Sequence, residues 1–139
     1  MKKRLALVAT AIIIFAACSG SGASTTTLPP DLEEGRQVYQ ASCALCHGGN
    51  GQGGSAPALT GVLETFGSCQ DQIRWITIGS QRHKDEVGPT YGDTDKPITG
   101  IMPSFDATLT ADQIARVAAF ERHRFGGADP VTANANCGI

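Results

Sequence analysis

The stretch Cys43-Ala44-Leu45-Cys46-His47 constrains this 139-residue chain more than any other part of its sequence. Cys-x-x-Cys-His is the attachment signature of a c-type haem: each thiol closes a thioether on the porphyrin, and the histidine becomes an axial iron ligand. A Cys-x-x-Cys pair also occurs in redox dithiols, which need a βαβ context, and in zinc sites, which need further ligands. Neither context surrounds this motif. The sequence therefore favours haem attachment.

Two stretches of the chain resemble the class I cytochrome c family. Residues 43–61 read CALCHGGNGQGGSAPALTG, and residues 100–105 read GIMPSF. In the family, a Gly-rich loop with Pro-x-Leu follows the haem motif, and the second axial ligand is a methionine in a Met-Pro context. The resemblance covers residues 31–126. It implies an all-α cytochrome c fold, with three or more helices packed around one covalently attached haem c and long haem-wrapping loops.

The resemblance also assigns roles to residues beyond the two thiols. His47 and Met102 would ligate the iron, and Pro103 would stiffen the loop that carries the methionine. The carbonyl of Pro57 would accept a hydrogen bond from the outer ring nitrogen of His47, which fixes the orientation of the ring. Leu59 would line the haem face. Once residues 1–17 are removed, Met102 is the only methionine in the chain.

Trp75 and the other two histidines have less specific surroundings. Trp75 lies in a helix predicted over residues 68–78, either as a haem-wall residue that donates its indole N–H to a propionate or as a core residue. His83 lies in a polar loop predicted over residues 80–101. We interpret it as an exposed loop residue, with a role as sixth iron ligand as the alternative. His123 is interpreted as a solvated residue at the end of a helix.

Two further helices are predicted around the haem motif. Residues 31–42 begin with Asp31 as N-cap, and residues 110–125 begin with a capping box of Thr110 and Gln113. By resemblance to the family, Gly35 allows the C-terminal helix to cross closely, and Tyr39 packs one turn later. We assign Tyr39 a structural role.

The first thirty residues have the features of an export signal and a tether. Residues 1–17 combine the basic start KKR with a 13-residue apolar run, as in a signal peptide. The run ends in FAAC, residues 15–18, which resembles a bacterial lipoprotein box, with Phe15 where the family usually has leucine. Lipidation of Cys18 is one interpretation, and an ordinary cleavage site with Cys18 as a bystander is the other. Residues 18–30 are predicted to be a flexible Ser/Gly/Thr/Pro tether.

Two further cysteines could link the end of the chain to the rest of the protein. Once Cys18 is assigned to lipid and the motif thiols to haem, Cys69 and Cys137 are left over. In an oxidising exported compartment we expect them to pair, which would attach a C-terminal tail of residues 127–139 to the cytochrome domain of residues 31–126. Free thiols or a bridge to a partner are the alternatives.

Charge limits the class of partner. The net charge is −2, and removal of residues 1–17 lowers the 11 basic residues to 8 against 13 acidic ones, giving −5. This balance argues against nucleic-acid binding and favours redox proteins that present a basic docking patch.

The sequence thus predicts a one-electron carrier with no catalytic residues and no small-molecule substrate. It would be lipid-anchored on the outer face of a bacterial cytoplasmic membrane, passing electrons from a dehydrogenase or quinol-oxidising complex to a terminal oxidase. One alternative is a permanent subunit of a larger complex that docks through residues 80–101. Another is a haem sensor or enzyme in which Met102 is off the iron and His83 is the distal acid–base residue.

Overall fold

The computed structural model describes residues 27–139, and every regular element in that range is a helix. An isolated bridge between Thr90 and Pro97 is the one β-contact among these residues. The predicted all-α fold is therefore confirmed for the described part of the chain. Its elements are α1 (Pro30–Ser42), α2 (Ala44–His47), α3 (Val62–Thr65), α4 (Cys69–Glu86), α5 (Ala111–Arg124) and α6 (Pro130–Cys137). The core lies where α1, α4 and α6 pack on α5.

The predicted signal peptide and the lipid-attachment site at Cys18 lie outside the described residues. Of the predicted tether, the structure describes residues 27–30. Leu28 packs against the core and Pro30 opens α1, so the tether prediction is wrong at this end. Between residues 27 and 139, no helix combines the length and the apolar character needed to cross a bilayer.

Helix α1 begins one residue earlier than predicted, and the prediction of Asp31 as its N-cap is wrong. Pro29 occupies the cap position and Pro30 the first helical position, where a proline loses no hydrogen bond and has a suitable φ. The Glu33 N–H donates to the Pro29 carbonyl at 2.9 Å. Asp31 instead forms an ion pair with Arg116 of α5.

The crossing of α1 and α5 depends on Gly35, as predicted. A Cβ atom at Gly35 would overlap the carbonyl of Arg116 and lie 2.9 Å from Cβ of Phe120. Tyr39 is fully buried one turn later. Its ring centroid lies 5.7 Å from that of Phe120 and 4.9 Å from that of Phe125. The predicted close contact between the two helices is therefore confirmed.

Helix α4 is longer than predicted. Its N-terminus is confirmed, since Ser68 Oγ accepts a hydrogen bond from the Asp71 N–H at 3.1 Å. The predicted end at residue 78 is wrong. The chain bends at Gly79, with φ 69° and ψ 177°, and the helix then continues to Glu86. The polar loop predicted over residues 80–101 therefore begins only after Glu86.

His83 is buried, and its predicted position in an exposed loop is wrong. The extended α4 places its ring edge-on against Trp75, with 5.0 Å between the ring centroids. Its Nδ1 lies 3.2 Å from the carbonyl oxygen of Gly88. Burial follows because the continued helix turns this residue toward the aromatic side chains of the core, where it is 5% exposed.

Helix α5 has the predicted capping box. Thr110 Oγ1 accepts from the Gln113 N–H at 3.2 Å, and the Gln113 side chain accepts from the Thr110 N–H at 2.9 Å. Its apolar face is buried, with Ile114, Val117 and Phe120 at most 3% exposed. His123 at the helix end is half-buried rather than solvated, because its Nδ1 lies 2.8 Å from the Ala128 carbonyl oxygen.

The C-terminal tail contains a helix that the sequence analysis did not predict. Asp129 caps α6 by accepting from the N–H groups of Val131 and Thr132. The helix packs on α5 and α4, and Cys137 at its end is joined to Cys69 at the start of α4 in a disulfide bond. Residues 127–139 thus pack against the domain.

Candidate haem-binding site

A cavity of about 430 Å³ lies among α2, α3, α4 and α5, a volume within the range of small-molecule and cofactor sites. It brings together all seven residues predicted to hold a haem. They are Cys43, Cys46, His47, Pro57, Leu59, Trp75 and Met102.

The two thiols occupy different environments at the start and middle of α2. Cys43, between α1 and α2, is buried, whereas Cys46 is exposed, and they are not bonded to each other. Burial, together with the nearby Glu121 and Cys46, raises the pKa of the Cys43 thiol well above its usual range. The attacking thiol of a redox pair needs the opposite shift, since its reactive form is the thiolate, so Cys43 is unsuited to that role.

His47 is held by the Gly-rich loop that follows it. Its Nδ1 lies 2.9 Å from the Pro57 carbonyl oxygen, the contact expected from the sequence. This contact occupies the outer ring nitrogen and leaves Nε2 for another partner. The loop folds back on the motif through the N–H groups of Gly53 and Ala56, which donate to the carbonyls of His47 and Cys46 at 2.8 and 3.1 Å.

Tyr39 fastens the same loop to the helical core. Its hydroxyl donates to the Gly48 carbonyl at 2.5 Å. Nearby, Gly51 has φ 66°, and a Cβ atom there would lie 2.7 Å from the Phe125 ring, so a glycine is required. The structural role predicted for Tyr39 thus extends to positioning the loop that supports His47.

Met102 lies in the cavity wall on a segment attached to the bend of α4. Its N–H donates to Ser80 Oγ at 2.9 Å, and its carbonyl accepts from the Ser80 N–H at 2.9 Å. A Cβ atom at Gly79 would lie 2.6 Å from the Pro103 carbonyl carbon. The bend at Gly79 therefore makes room for the methionine segment, a function that sequence reasoning missed by interpreting this glycine as a helix stop.

A second set of contacts holds the segment after the methionine. The Phe105 N–H donates to the carbonyls of Ile76 and Thr77, which the bend leaves available. Asp106 pairs with Arg82 of α4. The segment that carries Met102 is thus attached to α4 on both sides of Gly79.

Trp75 is a core residue that also lines the cavity. It is 6% exposed and its ring contacts those of Phe66, His83 and Tyr91, as a core residue does. It also lines the cavity, as do Tyr91 and Lys96. His83 does not line this cavity; it contributes to a separate one of about 70 Å³.

Two buried polar residues of the cavity wall were not predicted. Gln72 is 1% exposed and donates through Nε2 to Glu121 Oε2 at 2.8 Å, and Glu121 is 5% exposed. Burial raises the pKa of Glu121 to about 8, and the hydrogen bond from Gln72 acts in the opposite direction. The signal in the sequence was a glutamate four residues after Val117 and directly after Phe120, on a helix face that is otherwise apolar.

Arg122, in the last turn of α5, is also buried. Its Nη1 donates to the Phe66 carbonyl at 2.8 Å and to Gln72 Oε1 at 3.3 Å, and Nη2 donates to the Gly67 carbonyl at 3.3 Å. The Gln72 amide therefore stands between a buried guanidinium and a buried carboxyl group.

The donor set of the cavity fits a covalently attached haem. One wall presents two unpaired thiols and an imidazole whose outer nitrogen is already engaged, and another presents a thioether. The remaining wall is mostly apolar, as a porphyrin requires. Among residues 27–139, no three His, Cys, Asp or Glu side chains cluster as they would around a metal bound without a porphyrin.

Comparison with known proteins identifies the class. Residues 32–123 match the family described as Cytochrome c. The chain is 31% identical over 93 residues to cytochrome c6 of Tetradesmus obliquus, covering 65% of this chain and 86% of that protein. It is similar in structure to the c-type cytochrome XoxG from Methylobacterium extorquens AM1, with a TM-score of 0.50 and 21% identity over 77% of this chain and 67% of that one.

This chain therefore belongs to the cytochrome c family. As a member it carries covalently bound haem and transfers electrons with redox protein partners, and it is not an enzyme. These expectations from the sequence are confirmed at the level of the family.

Proposed function

We propose that the chain is a one-electron carrier with a single haem c, attached to Cys43 and Cys46 and ligated by His47 and Met102. The observation that carries this proposal is the meeting of these four side chains in one cavity, although Met102 lies 55 residues after His47 in the chain. Bound there, the haem supplies a one-electron redox centre. The protein orients the ligands and excludes water from the iron.

The polypeptide is built to keep both ligands in place. The Pro57 carbonyl holds the His47 ring through its outer nitrogen, which fixes its tautomer and raises its basicity. Ser80 holds the Met102 backbone through two hydrogen bonds of 2.9 Å. Ligands that are fixed in this way move little when the charge of the centre changes, which favours rapid electron exchange. A thioether ligand raises the reduction potential.

Partner docking is proposed at the side of the molecule where the haem motif and the methionine segment reach the surface. Leu45, between the two thiols, and Ile101, next to Met102, are each 95% exposed. An apolar contact of this kind suits the small, short-lived interfaces of redox encounters. The acidic balance of residues 18–139 favours partners that surround their docking site with basic residues.

We further propose that residues 1–17 direct export and that Cys18 is lipidated, so that the cytochrome domain is tethered to a membrane and serves an extracytoplasmic respiratory chain. The support is the sequence pattern KKR, a 13-residue apolar run and FAAC. Cys18→Ser should move the cytochrome from the membrane fraction to the soluble fraction without changing its spectrum. Retention of the variant in the membrane fraction would contradict lipid anchoring.

The test of the cofactor proposal is extraction of the purified protein with acidified acetone, followed by intact mass measurement. A haem bound through both thiols stays with the polypeptide, whose mass exceeds that of the chain by one haem. Cys43→Ser and Cys46→Ser should each leave at most one thioether. Extraction of all haem from the wild type, or a mass excess of two haems, would contradict the proposal.

A further inference from the structure

One acidic side chain in the cavity wall has no role in holding a haem. Glu121 lines the cavity together with His47 and Met102, yet it is 5% exposed. It lies on the face of α5 that otherwise buries Val117 and Ala118. A carboxyl group in such surroundings is costly to ionise, because burial removes the water that stabilises its charge.

Few groups could stabilise a negative charge on the Glu121 carboxylate. The neutral amide of Gln72 donates a hydrogen bond to it, and no cationic side chain among residues 27–139 lies within ion-pair distance of it. Arg122 reaches it only through the Gln72 amide. Burial raises the pKa of this carboxyl group to about 8, toward neutral pH.

Other titratable side chains also lie near Glu121 or line the same cavity. Tyr39 and Cys43 face it from α1, and burial raises the pKa of Tyr39 to about 12, above this range. The Cys43 thiol is consumed when the thioether forms. Tyr91 and Lys96 line the same cavity, Tyr91 half-buried and Lys96 exposed.

We propose that Glu121 is a redox-linked proton site, which binds one proton from solvent when the cavity receives one electron and releases it when the electron leaves. In the balanced step, a donor protein gives one electron to the haem, water gives one proton to the Glu121 carboxylate, and the net charge inside the cavity is unchanged. The coupling is electrostatic, because charges in a low-dielectric interior interact strongly over short distances. The inference rests on the proposed haem in this cavity.

The test is the reduction potential of the holoprotein measured from about pH 5 to about pH 10. For the wild type, the potential should fall by up to ~59 mV per pH unit, the value for one proton per electron, in a window that begins near the pKa of Glu121 in the oxidised protein. Glu121→Gln should remove the dependence in this window. Glu64→Gln, the same change at an exposed position of α3, should keep the wild-type profile.

The same titration separates the possible failures. Equal profiles for wild type and Glu121→Gln would overturn the inference, because any pH dependence would then come from a different group. A wild type with a normal one-electron couple and a flat profile would also overturn it while leaving the proposed function intact. A protein without covalent haem would instead overturn the proposed function.

A second measurement works even if Glu121→Gln does not fold. The reduced-minus-oxidised infrared spectrum of the wild type should show a carboxylic acid C=O band gained and carboxylate bands lost on reduction. Gln72→Met, which removes the hydrogen bond to the carboxylate, should move the pH window upward. Absence of the band, or a downward shift of the window, would overturn the inference.

Discussion

Gly79 connects the shape of α4 to the position of Met102. Its φ of 69° bends the helix, and the carbonyl carbon of Pro103 and the N atom of Ser104 approach to within 2.6 Å of where a Cβ atom would be. An alanine there would suffer both an unfavourable backbone conformation and a steric clash with main-chain atoms.

Gly79→Ala should therefore destabilise the protein by about 1–3 kcal/mol and weaken Met102 ligation. Denaturant unfolding measures the loss of stability, and the intensity of the far-red Met-to-iron absorption band measures Met102 ligation. Gly49→Ala is the matched control, since a Cβ atom at Gly49 has no neighbour within 4 Å. If Gly79→Ala matches this control in both measurements, the role assigned to the bend is wrong.

Glu121 should make stability depend on pH. Its pKa rises from 4.5 in the unfolded chain to about 8 in the folded protein, so the folded state binds more protons between these values. Stability therefore falls as the pH rises through this range, and below about 4.5 the group has no effect. Glu121→Gln should match the wild type at low pH and exceed its unfolding free energy by a few kcal/mol above pH 8. Equal stabilities at high pH would contradict the burial of a carboxylate.

The candidate haem ligands could be predicted because they lie in local sequence motifs. Contacts between residues far apart in the chain could not be predicted. The thiols and His47 lie within five residues, and Met102 stands beside a proline in a recognisable context. The contact between Gln72 and Glu121 joins residues 49 apart, and neither has a signature of its own. Such a pair becomes visible only when the packing of α4 on α5 is known.

Among the helices, α5 was predicted most accurately because its capping box and apolar periodicity agree. Helix α4 was predicted to end early because glycine is a common helix terminator and the residues after it are polar. What continues the helix is tertiary contact: the Met102 segment bonds to the bend, and His83 packs on Trp75. Helix α6 was missed because eight residues with little amphipathicity give only a weak signal.

The disulfide attaches α6 to the start of α4 across 68 residues of chain. Closing a loop of this length should stabilise the fold by about 4 kcal/mol in the loop-entropy description. Cys69→Ser, Cys137→Ser and the double variant should lose the same amount in denaturant unfolding, because each removes one bridge. A reductant should lower the stability of the wild type to that of the variants. Additive losses in the double variant, or a wild type indifferent to reductant, would contradict the bridge.

The protein has more acidic than basic residues, and two apolar side chains beside the cavity are exposed. We expect Leu45→Ser with Ile101→Ser to slow electron transfer to a basic redox protein by roughly tenfold, because the variant loses apolar contact in the encounter complex. The second-order rate from stopped-flow absorption measures this. Val131→Ser, at a 74% exposed position on α6 that does not line the cavity, is the matched control. Equal slowing by the control would place the docking surface elsewhere.

The central claim is that His47 and Met102 would both ligate the iron of a haem bound in this cavity, which would leave no open site on the metal. Its most direct test is the absorption spectrum of the oxidised protein and the reaction of the reduced protein with carbon monoxide, for wild type and Met102→Ala. His83→Gln is the control, because His83 lies outside the cavity. Wild type and control should show the far-red Met-to-iron band and exclude carbon monoxide, whereas Met102→Ala should lose the band and bind the gas. A wild type that is high-spin and binds carbon monoxide would have an open iron site, and the carrier proposal would be wrong.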